Sequence, residues 1–405
     1  MARKQFVVPA SQYDVTRRAL DATLMMQEAR SISGLDDFGD ESFVAPLRKM
    51  MDCFARDINF HATGLKEFRE EVVRDLVNRL RMHDDFRRHP EILDEDVSDP
   101  IMIIGLPRSG TTKMQRMIGI DPRLFKTFTW QFLNPAPFPN AVAGRPDPRI
   151  AAAFAGDLSL IDQEKAEVHA GHHMAADQID EDWTLFELTF NSWYQLNRQP
   201  SRSWHEWVMS RSEPSDLSNY RYVYSMVQYL QWQQGGRGNK RWLLKSCGHL
   251  AHMQELIAVF PKATIVHAHR HPKFSLPSLS KLLLDVWGLR VADLDPLFVG
   301  DFLFNWEKES MDRYLLTRDR LGLDKRILDV QYDQIRDDPI PVFRGIYRRA
   351  AIPMMAEAEQ SMLQWERDNE QGKHGKHSYS LEQFGLSEKK INEAFGEYIH
   401  RFVEQ

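Results

Sequence analysis

The sequence predicts an α/β fold: a parallel sheet flanked by helices, with a helical N-terminal region before it and a helical insertion within it. Three observations predict it. From residue 101 onward, short apolar runs at 101–104, 241–245, 263–268 and 326–332 alternate with helical stretches, the pattern of strands joined by crossover helices. Before that, apolar residues recur at three- and four-residue steps, as on amphipathic helices. At the join stands Pro100-Ile-Met-Ile-Ile-Gly105-Leu-Pro-Arg108-Ser-Gly110-Thr-Thr112. It is a strand running into a Gly-containing turn and then a helix. That is the geometry of a P-loop-type phosphate cradle, in which backbone N–H groups and the positive end of a helix converge on an anion.

Taken in order, residues 1 to about 95 form the helical region. Phe43, Leu47, Met50, Phe54 and Ile58 make one stripe, and Leu65, Phe68, Val72, Leu76 and Leu80 another. Pro90, Asp99 and Pro100 punctuate the join to the first strand. Residues 96–405 form the α/β domain. Strand 101–104 leads to a helix carrying Met114, Met117 and Ile118, and a long, aromatic-rich, mostly helical insertion follows at about 150–235. Arg241-Trp-Leu-Leu-Lys245 is a strand ending in a cation. Helix 249–259, strand 263–268 and a helix beginning near Phe274 come next, then the strand Arg326-Ile-Leu-Asp-Val-Gln-Tyr332 and a helix started by Asp337-Asp-Pro339. Ligands of such sheets sit at the carboxyl ends of the strands. The loops after Ile104, Leu244 and His267 therefore share one rim.

The chain has 405 residues, 42% hydrophobic and 27% charged, which is ordinary for a globular protein. A net charge of −6 argues against general nucleic-acid binding, so an anionic ligand has to be met by a local basic cluster. Cys53 and Cys247 have no metal or disulfide spacing, which points to a reducing compartment, the cytoplasm. The first residues are followed by no apolar stretch of signal-peptide length, and no run approaches 18 apolar residues, so no transmembrane segment is expected.

The spacing Gly105-x4-Gly110 with a hydroxyl at Thr112 matches a Walker A loop except at its lysine. Thr111 stands there, and the cation has moved inside the loop as Arg108. A nucleoside triphosphate with Mg²⁺ calls for that lysine. A shorter anion embraced by a planar guanidinium does not.

Gly105-Leu-Pro-Arg-Ser-Gly-Thr-Thr112 resembles the 5′-phosphosulfate loop of the sulfotransferases that use 3′-phosphoadenosine 5′-phosphosulfate (PAPS). Their second signature, a strand ending in Arg with Ser eight residues on, is matched by Ala263-Thr-Ile-Val-His267-Ala-His-Arg270-His-Pro272 and Ser278. Leu244-Lys245-Ser246-Cys247-Gly248-His249-Leu250 resembles the Leu-Lys-Ser-Pro-x-His of a large, mostly bacterial branch, with Cys247 in place of Pro. Ser33-Gly-Leu-Asp-Asp-Phe-Gly39 and the loop from Lys373 to Leu386 resemble that branch too, so the likeness runs from about residue 33 to the C-terminus. The family's usual Arg-Asp-Pro is Arg270-His271-Pro272 here.

The resemblance implies PAPS as sulfuryl donor and 3′,5′-ADP (PAP) as product. Arg108, Ser109, Gly110, Thr111 and Thr112 would hold the 5′-phosphosulfate, and Arg270 and Ser278 the 3′-phosphate. Sulfuryl transfer, like phosphoryl transfer, is an in-line displacement that positioned positive charge stabilises. Lys245 with Arg108 suits that task without a metal ion. His249 suits the base that takes the acceptor proton. Its rival is Glu181 or Asp182, in the segment His172-His173-Met-Ala-Ala-Asp177-Gln-Ile-Asp180-Glu181-Asp182-Trp183. The acceptor would be a hydroxyl, less often an amine, of a small molecule or lipid, with a few aromatics of 183–232 lining its pocket and the rest forming core. Acceptor identity and oligomeric state stay open, a homodimer included. The competing functions are a nucleotide kinase and a PAP-binding module without catalysis.

Overall fold

A computed structural model describes residues 8–142, 144–155, 176–211, 213–369 and 379–404. Its sheet contains β1 (Ile101–Gly105), β2 (Leu124–Phe125), β3 (Arg241–Lys245), β4 (Thr264–His269) and β5 (Ile327–Gln331), all parallel, in the order β2-β3-β1-β4-β5. The four strands expected from the sequence are present within a residue of their expected bounds. The fifth, β2, is two residues long and therefore too short to show a periodic pattern.

Every residue of β1 is buried, because helices cover both faces of the sheet. Alternation divides the strand between two apolar cores. Ile101 and Ile103 face a cluster with Met114, Met117, Phe343 and Ile346, whereas Met102 and Ile104 belong to a larger cluster with Leu47, Leu76, Leu244 and Ile265. The N-terminal helices Ala10–Ala19, Ala22–Ser33, Val44–Asp57 and Ala62–Arg88 supply much of that second cluster. Their two expected stripes are buried, and side chains satisfy the free N–H groups of their first turns. Asp21 accepts from the amides of Thr23 and Leu24, and His61 from that of Gly64.

Three expectations shift. Helix 249–259 divides into a 3₁₀ turn, Cys247–His252, and a helix, Met253–Val259, because Ser246 Oγ accepts from the Gly248 amide and starts the turn early. The helix near Phe274 spans Pro272–Gly288. A six-residue helix, Tyr332–Asp337, precedes the one from Pro339 to Arg349. The 25-residue helix Pro296–Arg320 has no counterpart among the sequence expectations. It is buried on several sides, at Phe298, Leu303, Trp306 and Tyr314, which blurs the one-faced period by which a helix is recognised. Among the described residues, no helix is long and apolar enough to cross a membrane.

Candidate active site

The register aligns Ile103 with Val266 and with Lys245, so the ends of β1, β3 and β4 open on one rim. β1 closes on Gly105, whose φ is +150°. A Cβ there would stand 2.6 Å from the Ala268 carbonyl of β4, so only glycine lets the two strands stay in contact. The chain then turns back through Arg108, at φ +68°, into the helix Thr111–Ile118. A left-handed conformation costs a non-glycine residue energy, and it persists only where its surroundings impose it. Ser109 imposes part of it: fully buried, its hydroxyl donates to the Leu106 carbonyl at 2.6 Å. The Ser109 hydroxyl, expected among the groups that hold the 5′-phosphosulfate, is thus engaged in closing the turn.

Arg108 Nε donates to Ser278 Oγ at 3.1 Å, and Arg270 Nη1 donates to the Arg108 carbonyl at 2.5 Å. The two phosphate signatures, more than 160 residues apart, thus meet in one knot. The Arg270 guanidinium lies 4.0 Å from the Tyr332 ring centroid, a cation–π contact that holds it flat. Among the described residues neither guanidinium has a carboxylate partner. Burial, and the neighbouring Arg270, pull the pKa of Arg108 down. Two like charges brought together in the interior favour an anion between them.

Behind this knot, Lys245 ends β3 wholly buried. Its ammonium donates to Thr112 Oγ1 at 3.1 Å and pairs with the Glu181 carboxylate. Thr112 and Glu181 border the main cavity, whereas Lys245 stands behind them. His249 departs further from expectation. The turn Cys247–His252 directs it inward, where it is 1% exposed and does not border the cavity. Its Nε2 donates to Asp182 Oδ2 at 3.2 Å, and its Nδ1 accepts from the Tyr220 hydroxyl at 2.8 Å. Both ring nitrogens are engaged. The expectation that His249 stands on the rim is therefore corrected. A Cβ on the preceding Gly248 would come within 2.6 Å of the Tyr194 ring, so the turn is packed tightly against that aromatic wall.

The cavity measures about 940 Å³. At one end it is bordered by Arg108, Gly110, Thr111, Thr112, Arg270 and Ser278. Further along, Leu279, Leu283, Leu303, Trp193 and Trp306 make an apolar wall, and Glu71, Arg198 and Arg290 close the far end as an ion-paired group. Of the aromatics of 183–232, Trp183, Trp193 and Tyr194 border the cavity, while Phe186, Trp204, Tyr220 and Tyr229 are core. From the C-terminal loop, Tyr379 reaches the cavity beside Arg108. Lys373 and Lys376, like His172 and His173, lie outside the described residues.

Among the described residues one side-chain group has metal-like composition: His267, His269 and Asp329, with ligand atoms within 4.8 Å of one another. Its atoms are engaged apart from His267 Nε2, which has no hydrogen-bond partner among the described residues. Asp329 accepts from both ends of the Arg318 guanidinium at 2.8 and 2.7 Å, His267 pairs with the Tyr314 hydroxyl at 2.7 Å, and His269 with Asp329 at 2.8 Å. The group ties β4 to β5. Glu307, Ser310 and Tyr332 border the cavity without having been anticipated. The available signal was a lone glutamate in an apolar helix face between Leu303 and Tyr314.

A P-loop-type α/β fold whose cradle carries its own guanidinium charge defines a group-transferring enzyme that works on an anionic donor. The chain belongs to the sulfotransferase family, whose model matches residues 100–357. Over 322 residues it is 24% identical to the omega-hydroxy-beta-dihydromenaquinone-9 sulfotransferase Stf3 of Mycobacterium bovis, covering 75% of this chain and 74% of that one. The Mycobacterium tuberculosis protein of the same name matches equally. The crystal structure of sulfotransferase STF9 from Mycobacterium avium superposes with a TM-score of 0.84 at 27% identity, covering 95% of this chain and 97% of that one. Sulfotransferase STF1 from Mycobacterium tuberculosis shares the fold, with a TM-score of 0.73 at 23% identity over 97% and 100% of the two chains. The protein is an enzyme, and the group it moves from a donor to an acceptor is a sulfuryl group.

Proposed function

We propose that the donor is PAPS and that the acceptor is a hydroxyl on an apolar small molecule or lipid. The observation that carries the donor is the knot of Arg108, Ser278 and Arg270, two half-buried guanidiniums at the rim with no carboxylate partner among the described residues. The residues present fit the donor. Arg108 with the amides of Gly110, Thr111 and Thr112 suits a 5′-phosphosulfate, and Arg270 with Ser278 a 3′-phosphate, for which a planar guanidinium offers two parallel hydrogen bonds. PAPS supplies the sulfuryl group and an anionic leaving group.

The chain's own residues do the rest. Arg108 and Thr112 orient the donor end of the cavity. Glu181, which borders the cavity, takes the acceptor's proton. Lys245 acts from behind as the residue that orients both Thr112 and Glu181. His249 holds Asp182 and thereby fixes the segment that carries Glu181. The apolar wall receives the acceptor. The relative Stf3, named for a hydroxylated menaquinone derivative, supports a lipid there. The helical residues up to about 95 and the α/β residues after them act as one body, since one apolar cluster joins them. The free cysteines Cys53 and Cys247 support work in the cytoplasm.

The test is direct. PAP should raise the melting temperature, because a ligand of the native state stabilises it. With PAPS, a screen of apolar alcohols should yield products heavier by one SO₃ unit. A melting temperature indifferent to PAP would overturn the donor assignment.

A further inference from the structure

The helix Pro296–Arg320 packs across the turn Cys247–His252 and brings Leu303, Trp306, Glu307 and Ser310 to the cavity. Leu303, Glu307 and Ser310 are four and three residues apart and share one face of that helix. Two of the three are polar in an otherwise apolar wall. Glu307 is 7% exposed and Ser310 3%. Among the described residues the Glu307 carboxyl meets no hydrogen-bond donor and no cation, and Ser310 Oγ has no partner either. Buried polar groups are nearly always paired, because leaving one unpaired is costly. Two unpaired groups one turn apart, both bordering the cavity, form a built site.

We propose that Glu307 and Ser310 form a second polar subsite in the acceptor part of the cavity, one that takes up an oxygen of the acceptor other than the oxygen that is sulfated. This rests on reading the apolar part of the cavity as the acceptor site. Burial pushes the Glu307 carboxyl up to about 8. At neutral pH it is a neutral acid that both donates and accepts, as the Ser310 hydroxyl does. Such a pair matches a neutral hydroxyl or carbonyl oxygen. Its place is close to the chemistry, since this helix packs on the turn Cys247–His252 and Glu307 borders the same cavity as Cys247. The ligand class is therefore an apolar molecule with two oxygens near one end, such as a diol or a hydroxy ketone.

The probes are 1-octanol and 1,2-octanediol, bound to the full chain loaded with PAP. Tryptophan fluorescence can report binding, because Trp193 and Trp306 border the cavity with ring centroids 4.9 Å apart. The diol should bind about fivefold to tenfold more tightly than the alcohol, the worth of one or two well-placed hydrogen bonds. In Glu307→Leu, which replaces the carboxyl with an apolar group of similar size, that preference should fall to near unity, and Ser310→Ala should reduce it in part. Equal binding of the two probes by the wild type, or by neither, overturns the subsite, as does a preference that survives Glu307→Leu. Tighter binding of 2-amino-1-octanol than of the diol, lost in Glu307→Leu, overturns the neutral-oxygen assignment. The readout needs no sulfuryl transfer. A preference that depends on Glu307 in a protein that sulfates no alcohol would overturn the acceptor reading and leave the subsite standing.

Discussion

The Lys245 ammonium is paired with the Glu181 carboxylate, so a residue that ends a central strand fixes a carboxylate on the wall of the cavity. Lys245 also holds the Thr112 hydroxyl at 3.1 Å. A single buried cation thereby sets the distance between the start of the helix Thr111–Ile118 and a carboxylate on the cavity wall.

The first prediction follows from that pairing. Glu181→Gln should lower kcat by roughly 10²–10⁴, the usual worth of a positioned base, with PAP affinity near wild type by calorimetry. His249→Ala should lower the melting temperature more than it lowers kcat, because His249 borders no cavity. If His249→Ala abolishes turnover in a stably folded protein while Glu181→Gln is nearly silent, the base is the imidazole.

The second concerns the two guanidiniums. Arg270→Ala should weaken PAP far more than adenosine 5′-phosphosulfate, which lacks the 3′-phosphate, whereas Arg108→Ala should weaken both. Equal losses for the two ligands in Arg270→Ala, measured by titration calorimetry, would show that Arg270 does not read the 3′-phosphate.

The third is that turnover persists in EDTA, since Arg108, Arg270 and Lys245 concentrate positive charge at the rim. A complete loss of rate that magnesium restores would favour a nucleotide kinase.

The fourth concerns stability against pH, with opposite signs for two buried groups. Burial pushes Glu307 up to about 8, so between its ordinary value and that point the folded chain keeps a proton that the unfolded chain has lost. Stability therefore falls as pH rises through this window. Burial, with Arg313 and Arg211 nearby, pushes His252 down to about 3, so the unfolded chain takes up a proton first and stability falls as pH drops below the ordinary histidine value. Glu307→Gln should raise the melting temperature more at about pH 8 than at about pH 5. His252→Gln should flatten the decline on the acid side. Parallel melting curves at every pH would contradict both assignments.

The fold was largely legible because β1, β3 and β4 are buried, mainly apolar runs, with Arg241 of β3 alone half-buried, set between helical periods. The cradle was legible because Gly105, Arg108 and Gly110 sit at spacings that a backbone turn demands. The rest was hidden for physical reasons. Following a strand end puts His249 on the rim, but the early turn capped by Ser246 rotates it inward. The strand end puts Lys245 on the rim, yet its partner Glu181 lies 64 residues away and draws it under the rim. Glu307 lies on a helix buried on several sides, whose polar exception shows only once the cavity beside it is known.

The continuous apolar cluster has a consequence for how this enzyme can be divided. The segment that matches the family, 100–357, contains the strands, the cradle and Glu181, and looks like a portable catalytic module. Yet Met102 and Ile104 on its central strand belong to one apolar cluster with Leu47, Leu76 and other side chains from before residue 96. A chain begun at β1 would expose the part of that cluster which the N-terminal helices pack against, and would tend to associate through it. The N-terminal helices therefore share their core with the catalytic domain, and separating the two would cut through it.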